Sequence, residues 1–149
     1  MKTKRSGLSG RSADVVRLDL PATHKYLNVL GASLAEILAR VEGLAERETS
    51  AYNVQLAVHE VCTNIVSHAY AGRSGGRIRV TLTLAFEPRR LIVELRDSGI
   101  PFDLAAAPEP RLDEPQVHGY GLFLVRQLMD EVSYQSGARG NRWRLVKRL

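Results

Sequence analysis

The chain has little cysteine, few aromatic residues and no long apolar run, and each shortage excludes something. Its 149 residues include one cysteine, Cys62, so no disulfide closes within the chain and no Cys/His spacing suggests zinc. No apolar stretch reaches the length of a membrane-spanning helix. The basic start Met1-Lys2-Thr3-Lys4-Arg5 is not followed by the apolar stretch of a signal peptide. The expectation is therefore a cytoplasmic protein with no membrane partner. Aromatic residues make up 6% of the chain and do not alternate with basic ones, as single-stranded nucleic acid would require. The net charge of +5 is concentrated at one end: Lys2, Lys4, Arg5 and Arg11 precede the first acid, Asp14. Residues 1–13 read as a basic flexible tail and residues 14–149 as a single domain, with no direct nucleic-acid partner.

What is present centres on one helix. In the stretch from Leu56 to Tyr70 and just before it, Val54, Val58, Val61, Cys62, Ile65, Val66 and Ala69 recur at three- and four-residue spacing. That is the period of a helix with one face in a core, and it makes Cys62 a buried thiol. Glu60, Asn64 and His68 interrupt the apolar stripe. They stand four apart, so the spacing predicts that they line one edge, a turn above one another. A carboxylate, a carboxamide and an imidazole so placed can serve as a base, a hard-metal ligand and a polar neighbour. They can equally be a solvated flank. His68 is read as structural.

Around this helix the chain divides into strands and helices in a regular order. Asp14 to Leu20 reads as a strand ended by Pro21. Thr23 could cap a helix that turns Tyr26, Leu27, Leu30, Leu34, Ile37, Leu38 and Val41 inward. Ser50 is a plausible cap for the central helix, which ends near Tyr70-Ala71-Gly72. Residues 78–84 and 91–95 alternate as a hairpin of half-buried strands. From Ile100 to His118 there is no period and there are four prolines, a pattern that suits a functional or disordered loop. A helix then opens at Gly119-Tyr120-Gly121, and two strands follow near 132–136 and 142–147. The expected fold is an α/β two-layer sandwich: a mixed, mostly antiparallel sheet with the helices on one face.

Two glycine turns carry possible chemistry. Asp97 stands where a strand runs into Ser98-Gly99. A carboxylate there can accept a hydrogen bond from an exocyclic amine, and Gly99 would let a flat ring come close; an ordinary turn has the same letters. Gly119 and Gly121 open a helix, where free N–H groups suit phosphate. No Gly-Lys-Ser/Thr follows, which excludes a Walker loop, and a long loop rather than a strand precedes, which excludes a dinucleotide fingerprint.

Taken together, Glu60-x-x-x-Asn64 on a helix, Asp97-x-Gly99 after a strand, a long loop and Gly119-x-Gly121 resemble the GHKL (histidine-kinase-like) ATPase superfamily. Within it, Glu60 to Tyr70, Asp97 to Asp103, Gly119 to Val125 and Met129 to Val132 look most like the bacterial anti-sigma-factor serine kinases, over nearly the whole chain. The resemblance implies the Bergerat-type ATP-binding fold and ATP with Mg²⁺. It makes Glu60 the catalytic base and Asn64 the metal ligand. It gives Asp97 and Gly99 the adenine, residues 100–118 the lid, and Gly119, Gly121 and the following Leu122 the phosphates. It also implies a kinase that phosphorylates an anti-sigma-factor antagonist, sequesters a sigma factor and forms a homodimer. A non-catalytic nucleotide-binding module and a detached ATPase domain of a sensor histidine kinase are the alternatives. The last strand, Gly140-Asn141-Arg142-Trp143-Arg144, lacks the threonine that often supports the adenine-binding Asp, so another group must substitute or affinity falls.

Overall fold

A computed structural model describes residues 12–103 and 121–149. The order is strand β1 (Asp14–Pro21), helices α1 (Leu27–Ala39) and α2 (Arg47–Asn64), strands β2 (Arg77–Ala85) and β3 (Arg90–Asp97), helix α3 (Gly121–Leu128), and strands β4 (Glu131–Gly137) and β5 (Gly140–Arg148). The five strands form one sheet in the order β1-β2-β3-β5-β4. All four pairings are antiparallel, so the sheet has no parallel component. Among the described residues no helix is long and apolar enough to cross a membrane.

Period-two alternation places one face of each inner strand in the core. Ile78, Val80, Leu82, Leu91, Val93, Leu95, Trp143 and Leu145 are buried from the sheet. Leu30, Leu34 and Leu38 of α1, Val54, Val58 and Val61 of α2, and Val125 of α3 meet them. Tyr26, expected inside, is 37% exposed. It belongs to a short 3-10 turn, His24–Tyr26, before α1, and that turn rotates it off the α1 stripe.

Neither expected cap acts as one. Thr23 makes no side-chain cap bond. Ser50 lies inside α2, its N–H bonded to the Glu46 carbonyl at 2.9 Å. The helix starts earlier because Glu46 turns left-handed (φ 51°) and Arg47 reaches back across the α1 end. The Arg47 guanidinium donates to the carbonyls of Leu38 (2.8 Å), Ala39 (2.7 Å) and Val41 (2.6 Å). The Leu38 and Ala39 carbonyls close the C-terminus of α1, where a cation is favoured.

Directly after Asn64 the central helix widens into a π-helical turn, Ile65–Ala69, with the Tyr70 N–H bonded to the Ile65 carbonyl at 3.0 Å. The wider turn breaks the four-residue register beyond Asn64. His68 therefore leaves the expected row and is exposed, while Glu60 and Asn64 keep theirs.

Candidate active site

The end of β3 is fastened to the π turn by backbone. A Cβ on Gly99 would fall inside van der Waals distance of the Ala69 carbonyl, so only glycine lets the two segments touch. The Ile100 N–H donates to that same carbonyl at 2.7 Å. Tyr70 completes the joint: its hydroxyl accepts from the Ser98 N–H (2.9 Å) and donates to the Arg77 carbonyl (2.6 Å). Gly99 was expected to make room for a flat ring; the structure supplies a second reason for glycine at this position.

Asp97 is buried, 5% exposed. Its Oδ1 accepts the Gly99 N–H at 2.9 Å and the Asn141 amide at 2.7 Å. The same Asn141 amide donates to the Gly99 carbonyl at 2.9 Å, and Asn141 is itself buried at 3%. The pairing of β3 with β5 sets Asp97 directly opposite Asn141, so the sheet register delivers the amide. Among the described residues every hydrogen bond to this carboxylate falls on Oδ1, which leaves Oδ2 as the acceptor for an incoming donor. Asn141 thus occupies the supporting role for which the last strand lacks a threonine.

Where the chain leaves the turn, three aromatic rings hold it. Phe102 meets Tyr134 edge-on at 6.1 Å and Trp143 at 5.7 Å, and Tyr134 meets Trp143 at 4.6 Å. The Phe102 N–H donates to the Tyr134 hydroxyl at 2.7 Å. Burial pushes the Tyr134 phenol above its ordinary value, and the nearby Asp97 charge adds to the rise, against the pull of the Phe102 bond. The sequence offered no signal for Tyr134 or Trp143 beyond strand alternation; their role appears only once β4 and β5 pair.

The second half of the site lies between α2 and α3. A Cβ on Gly121 would sit 3.0 Å from Glu60 Oε2 and 3.9 Å from Asn64 Nδ2. The first residue of α3 therefore faces the two polar residues of α2, and any larger residue would press on the carboxylate. Glu60 and Asn64 are half-buried, and neither makes a side-chain hydrogen bond to a described residue. Leu122 packs into the core, so only its backbone is available to a ligand. Gly119 and the segment 104–118 of the expected lid lie outside the described residues. A separate cavity of about 330 Å³ between α1 and α2, lined by Leu30, Tyr52, Gln55, His59 and Cys62 among others, includes none of these groups.

A polar helix edge, a fixed aspartate at a strand end and a glycine at a helix start are thus brought to one side of the sheet. The model of the histidine kinase-like ATPase domain matches residues 20–147. The chain belongs to that family. Its relatives include proteins named serine-protein kinase RsbW. The one from Bacillus licheniformis (strain ATCC 14580) is 33% identical over 134 residues, covering 84% of this chain and 80% of that protein. The Bacillus subtilis (strain 168) protein is 31% identical over 133 residues, covering 84% and 80%. The fold is similar to the crystal structure of the RsbU and RsbW domains of a Mycobacterium tuberculosis protein, with a TM-score of 0.65 and 24% identity. That likeness spans 91% of this chain and 32% of that one. The histidine kinase domain from a blue-light activated histidine kinase of Erythrobacter litoralis is also similar, with a TM-score of 0.55 and 24% identity, over 87% of this chain and 62% of that one.

Proposed function

We propose that this histidine kinase-like ATPase domain is an ATP-dependent protein-serine kinase that acts in the cytoplasm as an anti-sigma factor. It phosphorylates an anti-sigma-factor antagonist and sequesters a sigma factor. The observation that carries the reading is the approach of Glu60 and Asn64 to Gly121, the start of α3. It puts a carboxylate without a partner among the described residues beside the helix terminus that suits phosphate.

The roles follow from what each group can do. Asp97 Oδ2 accepts the adenine amine, and Asn141 keeps the carboxylate turned for it. The backbone N–H groups at the α3 start, at Gly121 and Leu122, receive the phosphates. Glu60 takes the proton of the attacking serine hydroxyl. Asn64 would hold Mg²⁺ through its amide oxygen. The residues fit that ion: Mg²⁺ takes one or two hard oxygen ligands from protein and completes its shell with phosphate and water. No cluster of three or more His, Cys, Asp or Glu among the described residues forms a metal cage. When bound, the ion supplies charge neutralisation at the phosphates.

The test is single-turnover transfer from γ-labelled ATP to a partner co-purified from source lysate. The label is expected on a serine or threonine of the partner. If the protein holds both ATP and partner and transfers nothing, the domain is a binding module instead.

A further inference from the structure

The face of the sheet turned away from the helices carries a row of like charges. Strand register sets Arg79 of β2 directly opposite Arg96 of β3, and Arg96 directly opposite Arg142 of β5. Neighbouring strands lie about 4.8 Å apart, so three guanidinium stems rise side by side. In the next row the same alternation brings Arg17 of β1 and Arg144 of β5 to this face. The acids there are already engaged: Asp19 pairs with Arg77, Glu94 with Arg142 and Glu131 with Arg144. Arg79 and Arg96 are exposed and have no ion-pair partner among the described residues. Like charges directly opposite on adjacent strands destabilise a sheet. Asp19 stands directly opposite Arg79 on β1 but is bonded to Arg77, so the fold bears a cost where Arg79 faces Arg96.

We infer that this face docks an acidic helix of a protein partner. On one side of a helix, carboxylates at three- and four-residue spacing stand about 5–6 Å apart. That step matches the strand-to-strand step of the arginine row, so a helix lying across the strands meets Arg79 and Arg96 in turn, with Arg142, already paired with Glu94, next to them. Arginine forks bind carboxylates bidentately. Nucleic acid fits less well. The described part of this face holds no aromatic residue on which a base could stack, because Tyr134 and Trp143 point to the opposite side. A broad sheet face also does not enter a major groove, which admits a helix or a two-stranded ribbon. A second copy in face-to-face contact would set arginine against arginine. The inference stands on the charge pattern and is independent of the kinase reading.

The experiment uses the full chain and fluorescence anisotropy with a labelled alanine-based helical peptide of about 20 residues, long enough to hold a helix. The peptide bears Glu at three- and four-residue spacing on one side. A control peptide has the same Glu content spread around the helix. The expected result is tighter binding of the one-sided peptide, weakened at least about tenfold by Arg79→Glu with Arg96→Glu. Arg79→Gln with Arg96→Gln should show the same direction with less risk to the fold, and thermal melts confirm folding of both variants. Equal binding of the two peptides, or no change in the variants, overturns the proposal. So does tighter, Arg79-dependent binding of a DNA oligonucleotide of equal charge. Sedimentation showing a dimer that the double substitution disperses would also overturn it and make the face a self-interface.

Discussion

Asp97 reaches the site with one oxygen bonded to Gly99 and Asn141, on a turn tied to Ala69 and Tyr70. Glu60 and Asn64, on the neighbouring helix, make no side-chain hydrogen bond to any described residue. On the proposed roles, the contrast is between a group that reads a ligand and groups that act on one. A reader of an amine gains from preorganisation, since an acceptor already fixed loses little freedom when its donor arrives. A base and a metal ligand must keep their lone pairs open. The first end is therefore bound up with folding stability, and the second is separable from it.

The sharpest way to break that contrast is Gly99→Ala. The added methyl group collides with the Ala69 carbonyl, and the turn must leave the π segment. A loss of about 3 kcal/mol is expected, read as a lower urea midpoint, together with loss of ATP binding. A variant as stable as the parent would mean that the joint is not what fixes Asp97.

Next in size is Asn141→Ala, which strips the buried Asp97 of its side-chain donor. It should cost about 2 kcal/mol in stability and weaken ATP as well. Asn141→Thr, which keeps one donor, should recover part of both. In the same region Asp97→Asn should weaken ATP by roughly 1.5–3 kcal/mol, measured by titration with labelled nucleotide. Equal affinity of the parent for ATP and GTP would count against an amine-reading Asp97.

At the open end, Asn64→Ala should change the melting midpoint by the equivalent of no more than about 0.5 kcal/mol. It should nevertheless weaken nucleotide binding in the presence of Mg²⁺. A large stability loss would place Asn64 in the framework instead.

An effect confined to high pH concerns Cys62, between the two ends on the buried side of α2. Burial pushes its thiol from 9.0 up to about 12. The unfolded chain then releases this proton first, so the group's contribution to stability is complete below pH 9. It declines as the pH rises toward about 12. Urea melts across that window should fall less steeply for Cys62→Ala than for the parent. In the folded parent near neutral pH, alkylation of the thiol should be slow.

Much of this was legible in the chain. Alternation exposed the strands, three- and four-residue spacing exposed α2, and the order of Glu60, Asn64, Asp97 and Gly121 pointed to the family. Three features were not legible, each because it depends on partners distant in sequence or on backbone geometry. The π turn that removes His68 from the row leaves no mark in composition. Asn141 became a support for Asp97 only through the β3–β5 register, although the missing threonine marked where to look. The early start of α2 rests on Arg47 reaching carbonyls of another helix, a contact that local cap rules do not contain. The charge count misled in a similar way: assigning most of the net charge to the first residues hid the arginine row that sheet pairing assembles.

On the proposed function, the edge of α2 facing Gly121 does chemistry and is not part of the framework. The most direct measurement is single-turnover phosphoryl transfer by Glu60→Gln at saturating ATP, with melting and ATP binding followed on the same sample. Glutamine keeps the shape and removes the basicity. Transfer is expected to slow by about 10²–10⁴-fold, the usual value of a positioned base, with melting and ATP affinity nearly unchanged. Transfer at the parental rate would contradict it.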